Sequence, residues 1–310
     1  MSVLFDTIMP IFVLVALGYV AGRFGGFSAS AAQGISRFLG FFALPSLLFE
    51  TMFKANLEEA VDFRFVASFF LAASLVFLLS FLMWYRRAGN FRDLAAISFA
   101  PSFSNMGAIG VPLFVNAYGA QAALPLLILM LFNSPLLFTA ATVIAESQQG
   151  SSSRRLHTVV QAFKKTVLSP MIIAIIIGFV VNYFHVPVPA VAVNAMTLLG
   201  LSVLPCASFH VGASLSYSAL SHNIAMPIML AVMKNALHPA LTWGIGLYLF
   251  ALSPTWLAPA VMAAALPIGL GSYLFAERYQ SSKETVGMAM LISTALSPVS
   301  VSIAFLITNP

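Results

Sequence analysis

The chain has 310 residues, of which 60% are hydrophobic and only 7% charged, and its mean hydropathy is +0.97. A soluble domain carries about a quarter charged residues, so most of this chain must lie in lipid and a soluble globular domain is excluded. The net charge of +5 invites a nucleic-acid reading, but the basic residues sit in short loops between apolar runs, where membrane orientation explains them and no nucleic acid is called for.

The stretch MSVLFDTIMP has no Lys or Arg ahead of the apolar run and carries Asp6, so the first run reads as a retained helix rather than a cleavable signal. Ten membrane-crossing spans follow, with ends good to about three residues. The first covers 3–23 and the second 33–53. The second holds a Leu44-Pro45 kink followed by Glu50, which sits four residues before Lys54 in an ion-pair spacing. The third covers 63–85 and the fourth 92–117. The fourth contains SFAPSFSNMGAIGVPLF (98–114), with Pro101, Pro112, Gly107, Gly110, three serines and Asn105. A continuous membrane helix is poorly served by that composition. A helix that breaks and turns backbone groups toward a buried polar site is well served. Ser104, Asn105 and Gly107 are therefore candidate ligand contacts, with close helix packing the alternative for the glycine. The fifth span, 121–145, carries Asn133-Ser134-Pro135, and Asn133 is a candidate for lining the same site.

A polar connection over 146–162, opening ESQQGSSSRR, reads as a mobile linker between a five-span half (1–145) and a second one (163–310). The sixth span covers 163–184, and the seventh, 189–217, holds Leu204-Pro205 and His210. The eighth, 222–252, holds Lys234, Asn235 and His238-Pro239. A lysine in mid-membrane costs about 2.5–3.5 kcal/mol even on the lenient insertion scale. Lys234 must therefore face the interior, either toward an anionic ligand or toward carbonyls freed by a helix break. His238, one turn on, shares its face and is either a proton site or the mark of a proline kink. The ninth span, 255–277, contains a second interrupted stretch, ALPIGLGSYLF (265–275), with Pro267, Gly269, Gly271 and Ser272. The tenth, 284–308, places Ser293-Thr294 and Ser297 beside Pro298. Cys206 is the only cysteine, which leaves no disulfide framework and no cysteine metal cluster.

With both termini outside, inner loops hold eleven of the fourteen Lys and Arg and outer loops hold two, Lys54 and Arg64, so both ends are expected outside. The halves also repeat. At an offset of 160, residues 10–49 give ten identities without a gap, among them Pro10 with Pro170, Gly18 with Gly178, Leu44-Pro45 with Leu204-Pro205, and Phe49 with Phe209. Five spans is an odd number, so the second half must sit upside down relative to the first. Inverted repeats with paired interrupted helices are a signature of secondary transporters. The offset pairs Glu50 with His210, a carboxylate and an imidazole at matching kinks and candidates for a coupled proton.

Six stretches carry a resemblance to a known family: FALPSLLFETM (42–52), SFSNMGAIGVPLF (102–114), SVLPCASFHVGASL (202–215), MKNALHPAL (233–241), ALPIGLGSYLFAERY (265–279) and STALSPVS (293–300). Together they make the chain similar to the auxin efflux carrier family of permeases, within the bile acid/arsenite/riboflavin transporter superfamily. That family includes plant PIN proteins and bacterial malate and malonate permeases. The short linker resembles bacterial members, which implies a bacterial inner membrane. The resemblance implies an all-α polytopic protein of ten transmembrane helices in two inverted five-helix repeats, with helices 4 and 9 broken where they cross over. It also implies a scaffold of helices 1, 2, 6 and 7 and a transport domain of helices 3–5 and 8–10, arranged as in bile-acid symporters and working as an elevator. A small organic acid anion is the implied substrate. No cofactor and no metal is called for, and the coupling ion is left open between a proton, sodium and none. Scaffold-to-scaffold dimers of related carriers leave room for a homodimer. The competing classes are an intramembrane enzyme, for which neither a GxSxG elbow nor an HExxH motif is present, and a channel, for which no repeated pore-lining polar residues are present.

Overall fold

The computed structural model describes residues 2–55, 62–111, 113–114, 124–147, 152–217 and 224–308, and every regular element among them is helical. Five helices are long and apolar enough to cross a membrane by length and composition: 29–53, 64–84, 124–146, 190–214 and 283–308. Helix α1 spans Ser2–Arg23, and α2 (Ala29–Phe38) runs into α3 (Leu44–Phe53) through a π-helical turn at Leu39–Ala43. Next come α4 (Arg64–Trp84), α5 (Phe91–Phe99), α6 (Leu124–Glu146) and α7 (Ser152–Val167). The second half begins with α8 (Pro170–Tyr183), α9 (Ala190–Leu201) and α10 (Val203–Ser216). Helices α11 (Ala225–Val232) and α12 (His238–Gly244) are joined by a π turn at Met233–Leu237, and a second π turn at Ile245–Leu249 extends the run. Last come α13 (Pro254–Ala265), α14 (Leu270–Arg278) and α15 (Lys283–Thr308).

Local chemistry explains several of these boundaries. Asn90 accepts from the backbone N–H of Arg92 and Asp93, and Ser28 accepts from that of Ala31, which fixes the starts of α5 and α2. Ser169 caps α8 through Ile172 N, with Pro170 at the first helical position. The span expected to start at 163 therefore starts at Pro170, and part of the expected 146–162 linker is α7. The π turns at Leu39–Ala43 and Met233–Leu237 each lie just ahead of a proline, Pro45 and Pro239. A proline has no N–H and its ring crowds the carbonyl four residues back. Widening one turn absorbs both problems and keeps the helix running.

The chain divides into two compact units: residues 1–61, 107–128 and 168–218 form one, and 62–106, 129–167 and 219–310 the other. In the first, α1 packs along α10 and α3 packs along α8. Glycine makes both contacts close. A Cβ on Gly18 would collide with the backbone carbonyl of Phe209, and one on Gly178 would come 2.7 Å from the backbone oxygen of Phe49. A small apolar cluster of Leu39, Ala43, Leu44, Val203 and Ala207 lies beside the π turn of α2–α3. In the second unit, α4 packs on α5, α12 and α13, and α15 packs on α11, α13 and α14. Val191, Leu198 and Leu201 of α9 stay exposed, as lipid-facing side chains do.

Candidate binding site at two interrupted helices

Both interrupted stretches lie, through Met106, in the second unit, and their breaks pair with each other. Helix α5 tightens into a 3₁₀ turn at Ala100–Ser102, where Pro101 is buried, and the chain is extended at Phe103. Helix α13 ends at Ala265, and Leu266 and Gly269 are extended on either side of Pro267 before α14 begins. The two extended pieces form an antiparallel bridge of Ser104 with Ile268. Asn105 N donates to Pro267 O at 3.0 Å and Gly269 N to Phe103 O at 2.8 Å. Breaking two helices frees backbone groups, and the crossing satisfies part of them by pairing one break with the other.

Side chains satisfy the rest. The last carbonyls of α13 are those of Ala264 and Ala265. Lys234 Nζ donates to Ala264 O at 2.8 Å, and Ser300 Oγ donates to Ala265 O at 2.9 Å. Ile268 N donates to Ser293 Oγ at 2.9 Å, and that hydroxyl donates to Asn235 Oδ1 at 2.5 Å. Asn235 Nδ2 donates in turn to Ser300 Oγ at 2.9 Å. One asparagine thus joins the N–H freed on one side of the break to a C=O freed on the other. Asn235, Ser293 and Ser300 were not among the expected site residues. Their only sequence signal is polar residues on the spans beside the break.

Lys234 is fully buried on the π turn between α11 and α12. Its Nζ lies 2.5 Å from Ser104 Oγ and 2.9 Å from His238 Nδ1, besides Ala264 O. An ammonium has three donors, and these three acceptors occupy them. The Lys234 amino group sits at the C-terminal, partly negative end of α13, where a helix dipole favours a donor. His238 is also fully buried, with its ring 5.0 Å from that of Phe69. Donor and acceptor at the Lys234–His238 contact are set by the imidazole tautomer.

Asn105 differs from these neighbours. It is 7% exposed, and its side-chain amide makes no hydrogen bond to another described residue, while its backbone N–H is held in the bridge. Asn133 of α6 is 3% exposed and its Oδ1 likewise has no partner among the described residues. The Oδ1 of Asn133 has lost water without gaining a partner among the described residues.

The remaining expected residues have other surroundings. Ser272 is buried and donates to Gly269 O at 2.7 Å. Gly269 and Gly271 lie against the Phe103 ring, where a Cβ would come within 2.6 and 2.7 Å of it. Phe103 stands in an aromatic group with Phe99, Phe138 and Phe275, centroids 4.9–5.9 Å apart. Gly107 is half-buried at the start of a π turn, Met106–Gly110, and falls in the first unit; Pro112 lies outside the described residues. Glu50, in the first unit, pairs with Lys54 at 2.6 Å and accepts from Thr197 Oγ1 at 2.5 Å. His210, in the same unit, is 7% exposed and has Ser214 Oγ 3.3 Å from its Nε2.

Comparison with known proteins gives the family. The family model described as "Membrane transport protein" (Mem_trans) matches residues 3–305. A "Putative malonate transporter" of Rhizobium meliloti (strain 1021) is 25% identical over 95% of this chain and 92% of its own length. "Auxin efflux carrier component 5" of Arabidopsis thaliana is 23% identical over 94% of this chain and 93% of its own. "Uncharacterized transporter YfdV" of Escherichia coli (strain K12) is 23% identical over 98% and 94%. The resemblance to auxin efflux carriers is borne out, and the enzyme reading gives way. With almost the whole length inside one match, the chain belongs to the Mem_trans family of membrane transport proteins and is a multi-pass membrane transporter.

Proposed function

We propose that the protein is a secondary carrier for a small carboxylate of the malonate or malate kind, working by alternating access. The observation that carries this reading is the Asn105 amide, which is 7% exposed, makes no side-chain hydrogen bond to a described residue and lies beside the crossing of two interrupted helices. The amide offers two donors and an acceptor, and a carboxylate is a natural partner for the donors. The N-terminus of α14, just past the bridge at Gly269, adds the partial positive charge that attracts anions. Lys234 contributes its field to the same region while its own donors stay with the protein. A relative named "Putative malonate transporter" supports the substrate class.

The architecture proposed is two inverted five-helix repeats. It is supported by the contact of Gly18 with Phe209 and its counterpart, Gly178 with Phe49, which match residue for residue at the offset of 160. The unit made of α4, α5 and α11–α15 with most of α6 acts as the moving transport domain, and the unit holding α1–α3 and α8–α10 as the scaffold. The protein is placed in a bacterial inner membrane with both termini on the periplasmic side. Outward movement of an anion needs no coupled ion, because a negative interior drives anions out; uptake of a dianion needs compensating cations. A coupled proton is to be sought at Glu50, His210 or His238.

Radiolabelled malonate flux in proteoliposomes tests the reading. Saturable flux is expected, and Asn105→Ala removes it while the variant still purifies as a monodisperse protein. Absence of flux and of binding for malonate, malate and simple monocarboxylates would sink the proposal. Running the assay with and without a sodium gradient, and with and without a pH gradient, assigns the coupling ion.

A further inference from the structure

Helix α7 takes no part in the site. Its sequence, SSRRLHTVVQAFKKTV, holds four basic residues, Arg154, Arg155, Lys164 and Lys165, and no Asp or Glu. Val159, Val160, Phe163 and Val167 recur at helical spacing on one side, and His157, Gln161 and Lys164 on the other. Described residues leave much of the apolar side uncovered: Val160 is 54% exposed and Phe163 47%, and Leu168, just past the helix, is 56% exposed, while Val159 and Val167 are half-buried. His157, Gln161 and Lys164 are exposed as well. An uncovered apolar strip on a helix rimmed by positive charge marks an interaction surface.

Connectivity names the occupant. Two residues, Leu168 and Ser169, separate Val167 from Pro170, the first residue of the apolar helix α8. Three residue steps span at most about 11 Å, so the end of α7 is tied to the place where α8 enters the bilayer. The surface there is apolar below and carries phosphate headgroups above, and an acidic leaflet adds the charge that four basic residues complement. We infer that α7 lies flat on an anionic lipid leaflet, with Val160 and Phe163 at the acyl boundary and Lys164 among the headgroup phosphates. The chain passes from the second unit to the first between Val167 and Leu168. Through α7 the bilayer surface therefore holds the segment that joins them.

The full-length protein carrying Cys206→Ser and Val160→Cys, labelled with an environment-sensitive fluorophore, tests this in nanodiscs. In discs containing phosphatidylglycerol, blue-shifted emission and strong quenching by brominated lipid are expected. In pure phosphatidylcholine both are weaker. A label at Gln161→Cys stays water-exposed in either lipid. Replacing Arg154, Arg155, Lys164 and Lys165 by Gln returns the Val160 label to its behaviour in phosphatidylcholine, because each charge near an acidic surface is worth about fivefold in partition. A Val160 label that is water-exposed in both lipids overturns the inference. So does blue emission without lipid quenching, which means that protein covers the strip. Equal quenching in both lipids, unchanged by the Gln substitutions, also overturns the assignment to anionic headgroups.

Discussion

Lys234 and Asn105 are buried polar residues of opposite circumstance, and the difference can be measured. Lys234 saturates its donors on Ser104, His238 and Ala264. Lys234→Met strands those three acceptors, at about 1–3 kcal/mol for each buried group left without a partner, so its thermal midpoint falls well below wild type. Asn105→Ala removes no hydrogen bond of the described residues. Its midpoint stays close to wild type while malonate binding is lost, as a thermal-shift titration reads. An equal fall in both variants means that the Asn105 amide is structural. The sequence identified Lys234 as an interior lysine from its depth in an apolar span but left its partner open. Ser293 escaped because serine and threonine in apolar helices usually bond back to their own helix. Thr294 donates to Met290 O and Ser297 to Thr294 O in that way. Ser293 reaches another helix instead, and sequence spacing does not tell the two behaviours apart.

At the scale of elements, proline and glycine made the interruptions of α5 and α13–α14 legible, because few continuous membrane helices carry so many residues that weaken the backbone ladder. The partner of each break was legible only through the repeat. Glycine at 269 has a packing consequence. A Cβ there meets Phe103 Cδ1 at 2.6 Å and the backbone oxygen of Ser104 at 3.0 Å. The ring can turn aside, whereas the bridged backbone cannot. Gly269→Ala is expected to lower stability by about 1–3 kcal/mol, and adding Phe103→Leu recovers part of the loss, measured by thermal unfolding of both purified variants. The start of α8 was misplaced for a local reason. The apolar residues of α7, such as Val159, Val160 and Phe163, blend into the apolar run that follows, and only Ser169-Pro170 separates the two helices.

For the whole molecule, composition alone settled that the chain belongs in lipid; in the first unit Gly18 lies against Phe209 and Gly178 against Phe49, two pairs that the offset of 160 interchanges. Gly178→Leu drives a side chain into the backbone at Phe49, so it should cost most of the monodisperse protein on size-exclusion chromatography, and Gly18→Leu should do the same at Phe209. Orientation rests on the distribution of Lys and Arg. A C-terminal alkaline phosphatase fusion is expected to be active and a green fluorescent protein fusion dark; the reverse pattern inverts the topology. The division into two units could not be read from spacing, because 107–128 joins residues distant in sequence. One last consequence follows from the bridge between Ser104 and Ile268. Its donors and acceptors are main-chain atoms of Phe103, Asn105, Pro267 and Gly269, and no side chain lends it a bond. A substitution at 105 other than proline leaves these two bonds their main-chain atoms. On the function proposed above, a lineage can therefore exchange its cargo by changing one side chain while the frame that presents it is kept.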